Sequence, residues 1–329
     1  MQKLLKDLGW LLSGGLGDTI RQRNELRAQL AEAREKLAQA RLREKTLEEN
    51  LRKARPVRPV PFIMLNTLPK SGSIFLRESL VRGLGIPARE ISCGYFPMDL
   101  ADLRKLSDAA AGNTVAQAHL DPNPTNLRLL KEHTSGVVLH LRDPRQALLS
   151  WVHHVKSYAD AGRLHQTMVT PPPPPALMAM NLTSIIDWHL VHHFPNMLDW
   201  MERWLAHVES GAGPQVLVSH YQDFHADAHG SICRILDFYE IPRWAYHSPE
   251  IPRDRSTHFR KGELEEWREV FNSAQQKICA ELMAGYPRVN RLYGLHSGGE
   301  NGHAAKSAPG GRAAGENGTR NHAVTAPRR

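Results

Sequence analysis

The chain has 329 residues, of which 41% are hydrophobic, so it can bury the core of one large domain or of two smaller ones. Its formal net charge of +8 lies in the extensions, because residues 1–59 carry +6, residues 296–329 carry +3 and the stretch between them carries −1. A central domain without excess positive charge is not a broad polyanion binder, which argues against a nucleic-acid partner.

The cysteines and the N-terminal segment bear on the cellular compartment. Cys93, Cys233 and Cys279 are far apart in the sequence and form no CxxC pair. This usage is typical of buried thiols in a reducing compartment, so we expect a cytoplasmic protein. The apolar patch within residues 1–19 is too short and too rich in glycine for a transmembrane span, and no signal-peptide cleavage site follows it. A weak interfacial anchor remains open for this segment.

Residues 20–55 contain no Gly or Pro and repeat their seam positions with a 4-3 spacing. The seam positions are Leu26, Leu30, Ala33, Leu37, Ala40, Glu44, Leu47 and Leu51. Such a seam predicts a coiled coil that joins copies of the chain into a homo-oligomer. The alternative is a single charged helix in solvent. The proline-rich RPVRPVP at 55–61 then ends the helix and serves as a stiff linker.

Residues 56–295 are predicted to form the main domain. The predicted strands are VPFIMLN (60–66), GVVLHLR (136–142) and QVLVSHY (215–221). The predicted helices cover residues 73–84, a stretch that begins at Pro144, the region 182–208 and residues 229–241. Continuous apolar strands separated by helices predict an α/β fold with a parallel sheet that is covered on both faces. The prolines at 171–175 bound a loop, and we expect the tail 296–329 to be disordered because it has few large apolar residues.

The turn after the first predicted strand, Pro69-Lys70-Ser71-Gly72-Ser73, has the composition of an anion-binding loop. Backbone N–H groups of the turn and of the following helix would point at one place. Lys70 adds a charge, Ser71 and Ser73 add hydroxyl donors, and Gly72 allows a close approach of the backbone. The order differs from the Walker loop GxxxxGK[ST], because here the lysine precedes the glycine.

A second anion-binding segment follows the second predicted strand, in RDPRQALLS. Arg142 leaves the strand, and Ser150 lies eight residues later, two turns into a helix. A guanidinium group fits a phosphate through its planar fork, and a serine hydroxyl can add a further hydrogen bond. The alternative for Arg142 is a purely structural ion pair with Asp143.

A third segment, HFRKGELEEWREVF (258–271), places two cations beside a glycine just before a helix. Arg260, Lys261 and Gly262 would again suit a phosphate, and the alternative is a solvated basic turn. Any one of the three segments is weak evidence by itself. The three segments together are stronger evidence for an anion-binding site.

In this order and at these separations, the three segments resemble the sulfotransferases that use 3′-phosphoadenosine 5′-phosphosulfate (PAPS), and most closely the cytosolic type. TLPKSGSIFL is similar to the family's 5′-phosphosulfate loop, TYPKSGTTW. RDPRQALLS is similar to its 3′-phosphate segment, and FRKGELEEWREVF to its RKGxxGDWxxxF motif. The resemblance covers roughly residues 60–280. It implies a Rossmann-like, P-loop-like fold, PAPS as the sulfuryl donor, a hydroxyl group on the acceptor and no metal.

The resemblance assigns the first segment to the 5′ end of the donor. The residues that would hold the 5′-phosphosulfate are Lys70, Ser71, Gly72, Ser73 and Ile74. Phe75 replaces the family's Trp and would stack on adenine, and Tyr221 stands where the family has an adenine-contacting Tyr. Ile74 lacks the hydroxyl of the usual Thr, so one donor is lost unless the backbone amide suffices.

The resemblance assigns the other two segments to the 3′ end of the donor. Arg142 and Ser150 would grip the 3′-phosphate, while Arg260, Lys261 and Gly262 would close over it. The third segment departs from the family by having Glu-Glu in place of Gly-Asp, but it keeps the Trp and the Phe of the motif. Neither departure removes a charge that the site needs.

The resemblance also implies two catalytic residues, His119 and Lys70. VAQAHLDPNP (115–124) is similar to the family's KTHLP segment, and His119 falls on its catalytic histidine. A neutral imidazole can remove the proton of a hydroxyl group near neutral pH. Lys70 would place its ammonium group on the departing phosphate.

Two other functions stay open from the sequence. A P-loop-like kinase would need a lysine after the glycine and a magnesium-binding Asp at a strand end, where Asp143 is the nearest candidate. An inactive coiled-coil scaffold is disfavoured by the presence of Lys70, His119 and Arg142. Within the leading hypothesis, an acceptor hydroxyl on a carbohydrate or glycolipid is slightly favoured. The loops around 92–100 and 158–182 are expected to select it.

Overall fold

The computed structural model describes residues 22–40, 59–164, 171–251 and 261–294. Several predictions made above concern residues outside these ranges. They are the apolar segment 1–19, the second half of the coiled coil, the tail from 296 and the phosphate contact of Arg260.

Five strands form a single parallel sheet. They are β1 (Ile63–Thr67), β2 (Ala88–Arg89), β3 (Val115–Ala118), β4 (Val137–Leu141) and β5 (Val216–His220). Their order is β2-β3-β1-β4-β5, and every pairing is parallel. All residues of β1 and β4 are buried, as expected for central strands that are covered on both faces. The predicted parallel α/β sheet is therefore confirmed.

Helices connect the strands. The longer ones are α1 (residues 22–40), α2 (Ser73–Leu84), α3 (Leu103–Ala110), α4 (Pro124–His133), α5 (Pro144–Asp160), α7 (Leu182–His192), α8 (Phe194–Ser210), α10 (Ala228–Phe238) and α12 (Ser273–Ala284). The shorter ones are α6 (Pro175–Met178), α9 (Tyr221–Ala226), α11 (Trp267–Val270) and α13 (Pro287–Tyr293). None of the helices in the described ranges combines the length and the apolar character needed to cross a membrane.

The two faces of the sheet carry separate hydrophobic clusters. Side chains alternate along β1, so that Ile63 and Leu65 belong to one cluster and Met64 to the other. The first cluster includes buried residues of α2 and α10, such as Leu76. The second includes residues of α5, α7 and α8, among them the fully buried Trp200. This burial on both faces explains why the strands are apolar throughout rather than alternating.

The topology brings the polar motifs to one edge of the sheet. In a parallel sheet the carboxyl ends of the strands meet at the same edge, which is where ligands bind in open α/β folds. Lys70 follows β1, His119 follows β3, Arg142 follows β4 and Tyr221 follows β5. Four strands separated by up to 150 residues of sequence therefore end around a common space.

Candidate active site

The loop between β1 and α2 adopts a backbone conformation that depends on glycine. Lys70 has a φ of 65° and Gly72 a φ of 80°, and Gly72 is the residue that immediately precedes α2. A Cβ atom on Gly72 would lie 2.8 Å from Cε2 of Tyr221, so the ring of Tyr221 and the loop backbone are in close contact. The loop thus turns sharply into the N-terminus of α2, and a helix N-terminus favours an anion.

A cleft with a volume of about 310 Å³ opens above this loop. The predicted site residues that line it are Lys70, Gly72, Ser73, Ile74, Phe75, His119, Arg142, Ser150, Tyr221, Lys261 and Gly262. The cleft therefore brings together residues from five distant segments of the sequence. Its walls also include Gln117 and His154, which the sequence analysis did not select.

Ser71 is an exception among the predicted residues in the described ranges. Its side chain is fully buried and does not line the cleft, and its hydroxyl has no hydrogen-bond partner. The residue acts through its backbone, because its carbonyl oxygen accepts a hydrogen bond from Nε2 of the buried His140 at 3.0 Å. The sequence predicts that Ser71 donates its hydroxyl to the anion. In this structure the carbonyl oxygen of Ser71 instead anchors the loop to His140.

Arg142 is buried between the first and third segments. Its Nη1 donates to the carbonyl oxygen of Lys70 at 2.9 Å, and its Nη2 donates to that of Glu263 at 2.7 Å. Its guanidinium carbon lies 4.0 Å from the centre of the Tyr221 ring. Asp143, the partner in the structural alternative, forms an ion pair of 2.6 Å with Arg145. Arg142 holds the loops together and also lines the cleft.

Tyr221 contacts both the loop between β1 and α2 and the loop that contains Gly262. Its hydroxyl donates to the carbonyl oxygen of Gly262 at 3.2 Å, while its ring contacts Gly72 and Arg142. Gly262 itself has a φ of 78°, a conformation that glycine adopts without strain. Tyr221, directly after β5, thus has a structural role in addition to the contact with adenine that the resemblance implies.

The third segment is docked on α5 by buried groups. Lys261 forms an ion pair of 3.0 Å with Glu266, whose side chain is buried. The backbone N–H of Trp267 donates to Oε1 of Gln146 at 3.1 Å, and the guanidinium of Arg145 lies 4.0 Å from the Trp267 ring. One of the two glutamates that replace the family's Gly-Asp, Glu266, therefore orients a lysine of the cleft.

His119 has the geometry of a neutral base. Its Nδ1 lies 2.6 Å from the carbonyl oxygen of Thr67, which can only accept, so Nδ1 carries the proton. In the neutral ring, Nε2 is then unprotonated and has an sp² lone pair. Burial lowers the pKa of His119 from its ordinary value, and the nearby charge of Lys70 lowers it further, while the hydrogen bond to Thr67 and the charge of Asp99 act in the opposite direction.

Two neighbours of His119 were not found by sequence reasoning. Gln117 lies two residues earlier on β3, and its Nε2 is 3.4 Å from Nε2 of His119 and 3.3 Å from Oγ1 of Thr67. Asp99 accepts a hydrogen bond from the backbone N–H of His119 at 3.1 Å. The two-residue spacing on a strand was an available signal for Gln117, whereas Asp99 comes from a loop twenty residues away.

The charges of the cleft suit an anion with several negative groups. Three cations, Lys70, Arg142 and Lys261, line it, and among the residues that the structure describes no carboxylate does. Within the same residues, no group of three His, Cys, Asp or Glu side chains is placed to hold a metal ion. The arrangement can hold a polyanion and remove a proton from a group beside it.

Comparison with known proteins gives a family match. Residues 61–248 match the family described as the sulfotransferase domain. Solved structures with a similar fold include mouse sulfotransferase SULT7A1 complexed with PAP (18% identity, 71% of this chain and 86% of that chain, TM-score 0.49). They also include a sulfotransferase from Alicyclobacillus acidocaldarius (13% identity, 72% of this chain and 96% of that chain, TM-score 0.37). No curated protein matches the chain.

Proposed function

The chain belongs to the sulfotransferase domain family, enzymes whose sulfuryl donor is PAPS, and we propose that it transfers the sulfuryl group to an acceptor hydroxyl. The products are a sulfate ester and 3′-phosphoadenosine 5′-phosphate (PAP). The observation that carries this proposal is the cation-lined cleft in which a neutral His119 stands beside the anion-binding loop of Lys70.

The residues of the cleft fit PAPS. The Gly72 loop has no room for a side chain and turns into a helix N-terminus, as a cradle for a phosphosulfate requires. Lys70 and the amides from Gly72 to Ile74 would hold that end. Arg142 and Ser150 would bind the 3′-phosphate, and the Lys261–Gly262 loop would cover it.

The adenine end of the cleft has an aromatic wall. Phe75 and Phe224 both line the cleft and pack edge to face, with ring centres 5.8 Å apart. An edge-to-face partner fixes the orientation of the Phe75 ring, which would help the ring to stack on adenine. Tyr221 connects the two loops, because its hydroxyl donates to the carbonyl oxygen of Gly262 and its ring contacts Gly72.

The residues of the chain then perform the proton transfer. When bound, PAPS supplies an electrophilic sulfuryl group with PAP as the leaving group. Nε2 of His119 accepts the proton of the acceptor hydroxyl, while the proton on Nδ1 stays in its hydrogen bond to the carbonyl oxygen of Thr67. The ammonium of Lys70 stabilises the negative charge that develops on the departing phosphate.

The acceptor is a neutral or anionic alcohol in this proposal, and a carbohydrate or glycolipid hydroxyl fits best. An amine acceptor would be cationic near neutral pH, and no carboxylate lines the described part of the cleft to bind it. His154 lines the cleft one turn after Ser150, and its ring packs on Tyr158 with centres 4.8 Å apart. In this proposal, His154 would contact the acceptor.

A nucleotide kinase is the less favoured function. Its magnesium ion would need a carboxylate at the cleft, and the candidate, Asp143, is bound bidentately by Arg145 and caps α5 through the N–H of that residue. This carboxylate is therefore occupied in a structural role. The location in the cytoplasm and the assembly into a homo-oligomer remain proposals that rest on the sequence alone.

Calorimetry with PAP, ADP and adenosine 5′-phosphosulfate tests the proposed function. We expect PAP to bind with a micromolar-range Kd and ADP to bind more weakly, because ADP lacks a 3′-phosphate. Ser150→Ala should weaken PAP about tenfold or more, since a hydrogen bond to a charged group contributes about 1.5–3 kcal/mol. Adenosine 5′-phosphosulfate should lose little affinity.

Ser157→Ala is the matched control, because Ser157 is an exposed serine on the same helix. Equal losses for PAP and adenosine 5′-phosphosulfate in Ser150→Ala would remove Ser150 from the 3′-phosphate site. A preference for ADP over PAP in the wild-type chain would contradict the proposed function. Labelled PAPS offered with sugar, glycolipid, phenol and amine acceptors then identifies the acceptor class.

A further inference from the structure

We propose that Gln117 is a positioning residue that keeps His119 neutral and holds its Nε2 lone pair toward the cleft. The inference rests on the proposed function of His119 as the base, and it concerns a residue that the sequence motifs leave without a role. Gln117 and His119 both line the cleft and lie two residues apart, at the end of β3.

The contacts around Gln117 fit one consistent set of donors and acceptors. The side-chain amide of Gln117 has two hydrogens and two acceptors within reach, Oγ1 of Thr67 at 3.3 Å and Nε2 of His119 at 3.4 Å. The hydroxyl of Thr67 is 3.5 Å from the carbonyl oxygen of Ala118, to which it can donate while it accepts from the amide. The network is consistent when Nε2 of His119 accepts.

Protonation of His119 breaks this arrangement. An imidazolium carries a hydrogen on both ring nitrogens, and with the amide in this orientation its Nε2–H would face the N–H of Gln117 instead of an acceptor. The amide therefore favours the neutral ring. Burial of the ring also lowers the pKa of His119, as does the charge of Lys70, while the hydrogen bond to Thr67 and the charge of Asp99 raise it. Gln117 therefore acts in the same direction as burial and Lys70.

The contact also leaves the base accessible. A separation of 3.4 Å is long for a hydrogen bond between two nitrogens, so an acceptor hydroxyl can replace the amide at Nε2 at small cost. The proton on Nδ1 remains bound to Thr67 throughout. Gln117 thus selects the tautomer before the acceptor arrives, without forming a strong bond that the acceptor would have to break.

The test uses the intact chain with selectively ¹⁵N-labelled histidine. NMR shifts of the ring nitrogens report both the tautomer and the titration midpoint of His119, whose signals are identified by their loss in His119→Gln. Gln117→Glu replaces a donor by a charged acceptor, so the midpoint should rise by about one pH unit or more. Gln117→Met removes the donor without adding a charge, and the rise should be smaller.

Turnover provides a second readout. The acid limb of kcat/KM should move to higher pH in Gln117→Glu by the same amount as the NMR midpoint, and the rate at high pH should be less affected. Gln215→Glu makes the same substitution at an exposed glutamine before β5 and should leave the midpoint unchanged. PAP affinity and circular dichroism check that each variant is folded.

The NMR result does not depend on turnover, so it separates this inference from the proposed function. An unchanged midpoint in both Gln117 variants would overturn the positioning role even if the chain transfers sulfuryl groups. A wild-type spectrum with the proton on Nε2 would overturn it as well. Absence of turnover with the expected NMR shifts would count against the proposed function alone.

Discussion

His119 has three properties that suit a general base. Its Nδ1–H is held by the carbonyl oxygen of Thr67, burial lowers its pKa, and the residue lines the cleft. If it is the base, His119→Ala should lower kcat by about 10²–10⁴-fold, the usual contribution of general-base catalysis. PAP affinity should stay near the wild-type value, because His119 is assigned no contact with the donor. Single-turnover kinetics and calorimetry measure the two quantities. The matched control is His247→Ala, which removes an exposed histidine.

The pH dependence of the wild-type rate has a defined sign. The base works in its neutral form, so the rate falls as the pH drops through the pKa of His119. Burial lowers this pKa below its ordinary value of 6.5, and the acid limb should therefore lie below pH 6.5. A limb at higher pH, or a near-normal rate in His119→Ala, would exclude His119 as the base, and another histidine of the cleft would have to take its place.

The loop between β1 and α2 is the element in which backbone geometry decides function. Gly72→Ala places a Cβ atom 2.8 Å from the Tyr221 ring and forces alanine to a φ of 80°. We expect a loss of PAP affinity that is larger than the loss of stability, because the ring or the loop has to move in the binding cradle. Calorimetry with PAP and urea unfolding give the two quantities.

Gly211→Ala separates the clash from the backbone strain. Gly211 follows α8 with a φ of 63°, and a Cβ atom there would meet nothing within 4 Å. It should cost about 1–2 kcal/mol of stability, as expected for alanine in the left-handed region, and leave PAP affinity unchanged. If the two variants bind PAP equally well, the close packing of Gly72 on Tyr221 has no role in binding.

The elements that carry the site were the most predictable ones. Strands β1, β4 and β5 are continuous apolar runs, and helix α2 was predicted at 73–84, where the structure has Ser73–Leu84. These features are local: burial on both faces of a sheet removes polar residues, and the glycine turn sets the start of the helix. The two-residue strand β2 has no such pattern and was not predicted.

What the sequence could not show depends on tertiary contacts. Arg142 was predicted to bind a phosphate, but its hydrogen bonds to the carbonyl oxygens of Lys70 and Glu263 connect residues 72 and 121 positions away. Asp99 reaches His119 from a loop that has no motif of its own. In the same way, the hydroxyl of Ser71 follows the pattern of an anion ligand, yet the turn directs it into the interior.

At the scale of the whole molecule, α1 exposes apolar side chains that a second helix could cover. It is helical over residues 22–40, and the seam residues Leu26, Leu30 and Leu37 have exposed fractions of 65%, 52% and 52% in the single chain. We predict that the intact chain is a dimer or higher oligomer and that deletion of residues 1–55 gives a smaller species with unchanged PAP affinity. Light scattering measures both masses.

A control variant distinguishes the seam from the rest of the helix. Leu30→Glu together with Leu37→Glu should dissociate the oligomer, whereas Glu32→Gln together with Lys36→Gln should not, since these two residues form an exposed i,i+4 pair of 2.7 Å. A monomeric mass for the intact chain would show that α1 is a single charged helix and that the coiled-coil prediction is wrong.

The stability of the whole domain should depend on three buried histidines that are neutral in the folded state. Burial lowers the pKa of His140 to about 3, that of His189 to about 3 and that of His193 to about 4. The Nδ1 atoms of His189 and His193 are 3.2 Å apart, and Nε2 of His193 lies 3.3 Å from the carbonyl oxygen of Pro171, so both rings fit as neutral partners.

The sign of the effect follows from proton binding in the two states. Between the ordinary histidine pKa of 6.5 and the lowered values, the unfolded chain binds these protons and the folded chain does not, so the free energy of unfolding falls as the pH falls. From pH 7.5 to pH 5 each buried histidine should remove about 2 kcal/mol. In His189→Leu the decrease over this interval, measured by urea unfolding, should therefore be smaller than in the wild type by about that amount, although the variant is less stable at pH 7.5. His247→Leu, at an exposed position, should keep the wild-type dependence. Equal pH dependence in His189→Leu and the wild type would mean that His189 takes up its proton without unfolding of the domain.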